Sequence, residues 1–114
     1  MRKSHEEAVK WYRLAAEQGD PGAQLRLGQK LEKGEGAAPN PKEAARWYLE
    51  AARQGNAVAQ RNIGTMHAEG QGVKRDYAEA AKWLRMAADQ GDAVAKSYLT
   101  MLSAQGVLKE TKER

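Results

Sequence analysis

Few side chains in this sequence are of a type that could do chemistry, and His67 and His5 come first, since an imidazole titrates near neutral pH and binds metals. Two histidines without a single cysteine give no familiar zinc spacing, and no local Ser-His-Asp arrangement surrounds either one. His67 falls on an apolar helical stripe and reads as a core-side residue. His5 falls in a first helical turn and is expected to be exposed. The pairs Gly34-Glu35-Gly36 and Gly70-Gln71-Gly72 invite comparison with phosphate-cradling loops. Each follows a helix end, and neither has the strand-loop-helix setting or the Lys-Ser/Thr that phosphate binding uses, so they read as turns. Trp11, Trp47 and Trp83 could stack on bases, but their phase on an alanine-rich stripe assigns them, with Gly28 and Gly64, to structure. No catalytic, cofactor-binding or metal-binding residue follows from the sequence, which reads as a non-enzyme.

What positions these residues is a repeat. The three tryptophans stand 36 residues apart, and Asp20–Gly55 aligned on Asn56–Gly91 without a gap gives 13 identities in 36 positions. A half-unit (4–19) precedes these two repeats (20–55 and 56–91). Another half-unit (92–106) follows, and then a polar tail (107–114). Units of this length bury their apolar faces against their neighbours, so residues 1–114 form one all-α solenoid domain of about three helix-turn-helix repeats. It opens with the second helix of a unit (B) and closes with the first (A).

The B stripe, Ala44, Trp47, Tyr48, Ala51, Ala52 and its copy Ala80, Trp83, Leu84, Ala87, Ala88, has the spacing of one helical face. Ser4 with Glu7, Asn40 with Glu43 and Asp76 with Glu79 predict capping boxes in which the carboxylate reaches back to the cap. B helices are therefore expected at about 5–18, 41–54 and 77–90, closed by Gly19, Gly55 and Gly91. The A helices start from Asp20, Asn56 and Asp92 and end at Gly34, Gly70 and Gly106. Gly28 and Gly64 lie inside A helices, where glycine costs about 1 kcal/mol against alanine, which points to close packing with B. Thr100 holds the same place in the last A helix and is expected to be under no such constraint.

Composition excludes other classes. Without cysteine there is no disulfide, and the net charge of +4 comes from 19 basic and 15 acidic residues that are interleaved. The opening residues hold no apolar signal core, and no stretch approaches the roughly 18 apolar residues of a membrane span, so no membrane insertion is expected. The compartment stays open between cytoplasm and, for a mature exported chain, periplasm.

The repeated residues Ala23-Gln24, Leu27-Gly28, Gly34-x-Gly36, Glu43-Ala44-Ala45, Trp47, Ala51-Ala52 and Gln54-Gly55, with their copies, closely resemble the Sel-one-like repeat, a branch of the tetratricopeptide-like α-solenoids. The resemblance runs from Ser4 to Gly106. It implies a right-handed superhelix whose concave face is lined mainly by A helices. It also implies an adaptor or scaffold role of the kind found in signalling, protein quality control and bacterial envelope or host-interaction pathways. The aromatic usual late in helix A is replaced by Leu31, His67 and Ser103, and the cysteine pairs of one secreted bacterial branch are missing.

The A-helix positions not used in stacking differ between copies: Leu25, Arg26, Gln29 and Glu32; Arg61, Asn62, Thr65 and Met66; Ser97, Tyr98 and Met101. Drifting solvated surface and a binding face on a shared scaffold both produce such variation. Leu25, Met66, Tyr98 and Met101 favour binding, since large apolar groups there have no other use. The leading expectation is a protein or peptide partner held on the concave face; the alternative is an inhibitor or immunity-type protein that blocks one enzyme. RNA binding by a helical repeat is less favoured, because base readout needs several more units. Weak self-association is also expected, with Leu99 and Leu102 of helix 93–105 receiving Val9 and Leu14 of another molecule.

Overall fold

The computed structural model describes residues 2–107. Six helices and no strand occur among them: α1 (Arg2–Glu17), α2 (Pro21–Lys33), α3 (Pro41–Arg53), α4 (Ala57–Glu69), α5 (Tyr77–Asp89) and α6 (Ala93–Ala104). The B helices are α1, α3 and α5, and the A helices α2, α4 and α6. Each packs chiefly on the helices next to it in the chain, which draws the molecule out to 48 × 23 × 20 Å. It is an all-α helical-repeat solenoid. Val107, where the expected polar tail begins, packs on the cluster around Leu102; Leu108 to Arg114 lie outside the described residues.

Local bonds explain the boundaries. Asp20, Asn56 and Asp92 accept from the amides of Gly22, Ala59 and Ala95 at 3.0, 2.9 and 2.8 Å, satisfying donors that a helix start leaves free. Asn40 and Asp76 likewise accept from the Glu43 and Glu79 amides, each at 3.0 Å. The reciprocal half of the expected capping box is absent. The Asn40 amide donates instead to the Leu31 carbonyl (2.8 Å), and that of Asp76 to the His67 carbonyl (2.9 Å). Because the returning chain satisfies these amides, Glu43 and Glu79 are released for other contacts. The first helix begins at Arg2, so Ser4 lies within it and is not its cap.

Close approach accounts for the internal glycines. A Cβ on Gly28 would stand 2.5 Å from the Tyr48 ring, and one on Gly64 would stand 2.8 Å from Leu84 Cγ and 3.2 Å from the Ala80 carbonyl. Tyr48, Leu27, Leu31, Ile63 and Leu84 are fully buried at these A–B contacts. Gly36 and Gly72 have positive φ (+82° and +76°), and a Cβ there would strike the His5 and Pro41 carbonyls, so each A–B turn docks on the first part of the preceding B helix.

The tryptophans do not share one environment. Trp83 is 7% exposed and joins the cluster built on α1 to α4; Trp47 is half-buried; Trp11 is 64% exposed, contrary to its expected place in the core. Phase along a helix fixes the face on which a ring lies but not whether another helix covers that face. Trp47 lines a cavity with Ala16 and Glu17 of α1, and Trp83 packs in the cluster that holds Ala44, Tyr48 and Ala51 of α3. Among the described residues, no helix precedes α1.

Candidate protein-binding surface

The A helices are held in register by two buried glutamines. Gln24 Nε2 donates to the Ala16 carbonyl (3.1 Å) while its Oε1 accepts from Gln54 Nε2 (2.9 Å). One unit on, Gln60 donates to the Ala52 carbonyl (3.2 Å) and accepts from Gln90 (3.0 Å). Each buried amide thus joins an A helix to the B helices before and after it. Burial without these partners would cost about 1–3 kcal/mol. Lys96 occupies the equivalent place on α6 and is exposed.

On that frame, the expected binding residues separate into three groups. Leu25 (8% exposed) and Met66 (2%) are buried in the core that also holds Leu27 and Ile63, which corrects their expected place on an open face. Their large apolar side chains are part of the packed core. Four others are held by intramolecular bonds: Arg61 Nε donates to the helix-capping Asp92 (3.3 Å) and its Nη1 to Asn62 (3.2 Å), Tyr98 OH donates to Glu69 (3.1 Å), and Glu32 accepts from Tyr48 OH at 2.7 Å. Arg26, Ser97 and Met101 (43%) are exposed, and Gln29 and Thr65 are partly so, with Gln29 accepting from Arg26 at 3.3 Å and Thr65 Oγ1 donating to the Asn62 carbonyl. The open part of the face is therefore polar, with Met101 as its large apolar group.

Burial raises the pKa of both bonded tyrosines, and the carboxylate each donates to raises it further. Tyr98, bonded to Glu69, reaches about 12, and Tyr48, bonded to Glu32, goes higher still. The Arg13 guanidinium, 2.7 Å from Glu43, holds that carboxyl below its usual value against the effect of burial. Neither histidine has the setting first expected. His67 is half-exposed, and its Nδ1 lies 3.1 Å from the Lys74 carbonyl, so it pins the A–B turn and does not fill the core. His5 is half-buried with Nδ1 2.8 Å from Lys30 Nζ. Among the described residues, no three His, Cys, Asp or Glu are grouped to hold a metal ion, and no helix is long and apolar enough to cross a membrane.

Sequence periodicity gave no sign of the cavities. One of about 430 Å³ lies on the B-helix side between α1 and α3, lined by Ala16, Glu17, Gly19, Gln24, Arg46, Trp47, Leu49 and Glu50. A smaller one of about 200 Å³ adjoins it at Asn40, Lys42, Glu43 and Arg46. The expected end contacts also change: Val9 and Leu102 are buried within the chain, whereas Leu14 is exposed. A second molecule would meet neither Val9 nor Leu102.

The family model described as Sel1 repeat matches residues 1–20, 21–56 and 57–92. Among solved structures, c5321, a protective antigen present in uropathogenic Escherichia coli strains and displaying an SLR fold, is similar with a TM-score of 0.87 at 37% identity; the match covers 89% of this chain and 22% of that one. A Sel1 repeat protein from Oxalobacter formigenes is similar with a TM-score of 0.84 at 42% identity, over 89% of this chain and 42% of that one. Helicobacter pylori cysteine rich protein B shares the fold at 21% identity and a TM-score of 0.74, over 79% of this chain and 68% of that one. This chain therefore spans less than half the length of the first two. No curated protein sequence matches it.

Proposed function

The chain belongs to the Sel1 repeat family, and on that premise we propose that it is a non-enzymatic adaptor or scaffold that binds a protein partner on its A-helix face. The observation that carries this reading is the contrast between copies. The bonds of Gln24 that join the helices recur at Gln60, while the accessible A-helix residues Arg26, Gln29, Thr65, Ser97 and Met101 do not recur between copies. A shared scaffold bearing an unshared surface suits recognition of one partner, with specificity set by that surface. Its polar character favours a partner that offers hydrogen-bonding groups around one apolar contact at Met101.

Photo-crosslinking tests the face. Benzoylphenylalanine placed at Ser97 or Met101 is expected to yield a discrete protein adduct in cells that make the protein. Placed at Ala78, exposed on α5, it should yield none. Adducts from Ala78 alone would remove the A-helix face from consideration.

A further inference from the structure

We propose that the cavity between α1 and α3 is a second, independent binding site, which takes an arginine or lysine side chain from a partner protein against the Trp47 indole. Comparison of the two equivalent tryptophans points to it. On α5, Lys82 Nζ lies over the Trp83 ring, 4.9 Å from its centroid, and Lys82 is held there by Glu79 at 3.4 Å. Glu79 Oε1 also accepts the Trp83 indole N–H at 3.2 Å. The protein thus supplies its own cation to this indole, and the ring is buried.

On α3 the same carboxylate is engaged elsewhere. Glu43 Oε2 accepts from the Trp47 indole (3.2 Å) but also from Arg13 Nη1 of α1 (2.7 Å). The counterpart of Arg13 one unit on is Leu49, which makes no such claim on Glu79. Glu43 is bound to Arg13, and among the described residues it makes no close ion pair with Arg46 like that of Glu79 with Lys82. Among the described residues, no side-chain cation lies over Trp47. Trp47 is only half-buried, and the cavity of about 430 Å³ opens beside it.

The lining selects the occupant. Glu17 and Glu50 set two carboxylates against the one guanidinium of Arg46. Glu17 is exposed, and Glu50 has only a loose contact with Arg53 at 3.8 Å. The wall is thus locally acidic on a chain of net charge +4. An indole beside two exposed carboxylates attracts a cation whose aliphatic stem packs on apolar surface, which describes a Lys or Arg side chain. The site lies on the B helices and does not depend on the A-helix reading.

The test follows the three indole N–H signals by NMR while the full chain is titrated with the capped peptide Ac-Gly-Arg-Gly-NH2. The neutral isostere with citrulline in place of arginine is the control. The Trp47 signal is expected to shift saturably with the arginine peptide, and roughly tenfold more weakly with citrulline. Glu17→Gln with Glu50→Gln, both at exposed positions, should raise Kd several-fold without moving the melting temperature. The pair Arg13→Leu and Arg46→Lys copies the arrangement at Leu49 and Lys82; it should fill the site from within and abolish the shift. Equal response to citrulline, an equal shift at the exposed Trp11, or no saturable shift at Trp47 would each overturn the proposal.

Discussion

At Gly64 the absence of a side chain sets the distance between two helices. Gly64→Leu places a branched chain where even a Cβ would lie 2.8 Å from Leu84. Overpacking of this kind costs about 1–3 kcal/mol, enough to outweigh any gain in helix propensity. Thr100→Leu, at an exposed position on α6, should change stability by less than about 0.5 kcal/mol. Urea melts of the two variants decide the point, and equal losses would show that Gly64 does not mark the contact. The tyrosines make a second prediction. Burial and Glu32 raise the pKa of Tyr48 in the fold, and burial and Glu69 raise that of Tyr98 to about 12. The unfolded chain therefore loses these protons first, near pH 10. Stability contributed by the protonated tyrosines is complete below that value and falls as pH rises. Tyr48→Phe cannot ionise, so its stability should fall less steeply than the parent's between pH 10 and 12. Parallel losses in denaturant titrations across that range would show that Tyr48 does not carry the effect.

Helices and their caps were largely legible in the sequence, because a cap, its amide and a closing glycine lie within a few residues of one another. Asn40, Asn56, Asp76 and Asp92 all act as expected. What could not be read was contact between units. Leu25 and Met66 were expected on the binding face of the A helices, yet both are buried in the core. Glu43 carries the sequence mark of a capping box, yet the Leu31 carbonyl takes the amide it was expected to serve. Periodicity reports the direction of a side chain and is silent about what arrives from outside the helix. The buried glutamines give this scale its test. Gln60→Leu removes the donor to Ala52 and the acceptor for Gln90, and should cost about 1–3 kcal/mol. Lys96→Leu at the equivalent exposed position should be close to neutral in the same thermal or urea melts. A neutral Gln60→Leu would reduce the ladder to incidental contact.

Along the whole molecule the helices touch mainly their chain neighbours, so stability is a sum over adjoining pairs and need not be uniform. The last helix, α6, buries only Ala95 and Leu102, whereas α3 buries Ala44, Ala45, Tyr48, Ala51 and Ala52. Amide hydrogen exchange should therefore be fastest in α6 and slowest in α3 and α4, with α6 opening below the global unfolding free energy. Equal protection in all six helices would show a single cooperative unit instead. Binding on the A-helix face near Met101 would slow exchange in α6 first.

The docking of Gly36 on His5 recurs as Gly72 on Pro41, and the bonds of Gln24 recur at Gln60, so two successive joints between units share these contacts. For the gene this makes a unit a unit of inheritance. An in-frame loss of the codons for Asp20–Gly55 joins Gly19 to Asn56, a junction chemically like the one already present between Gly55 and Asn56. Unequal recombination between the repeats would therefore yield shorter or longer chains that still fold. A lineage can change how many partner-facing helices it displays without inventing a new joint.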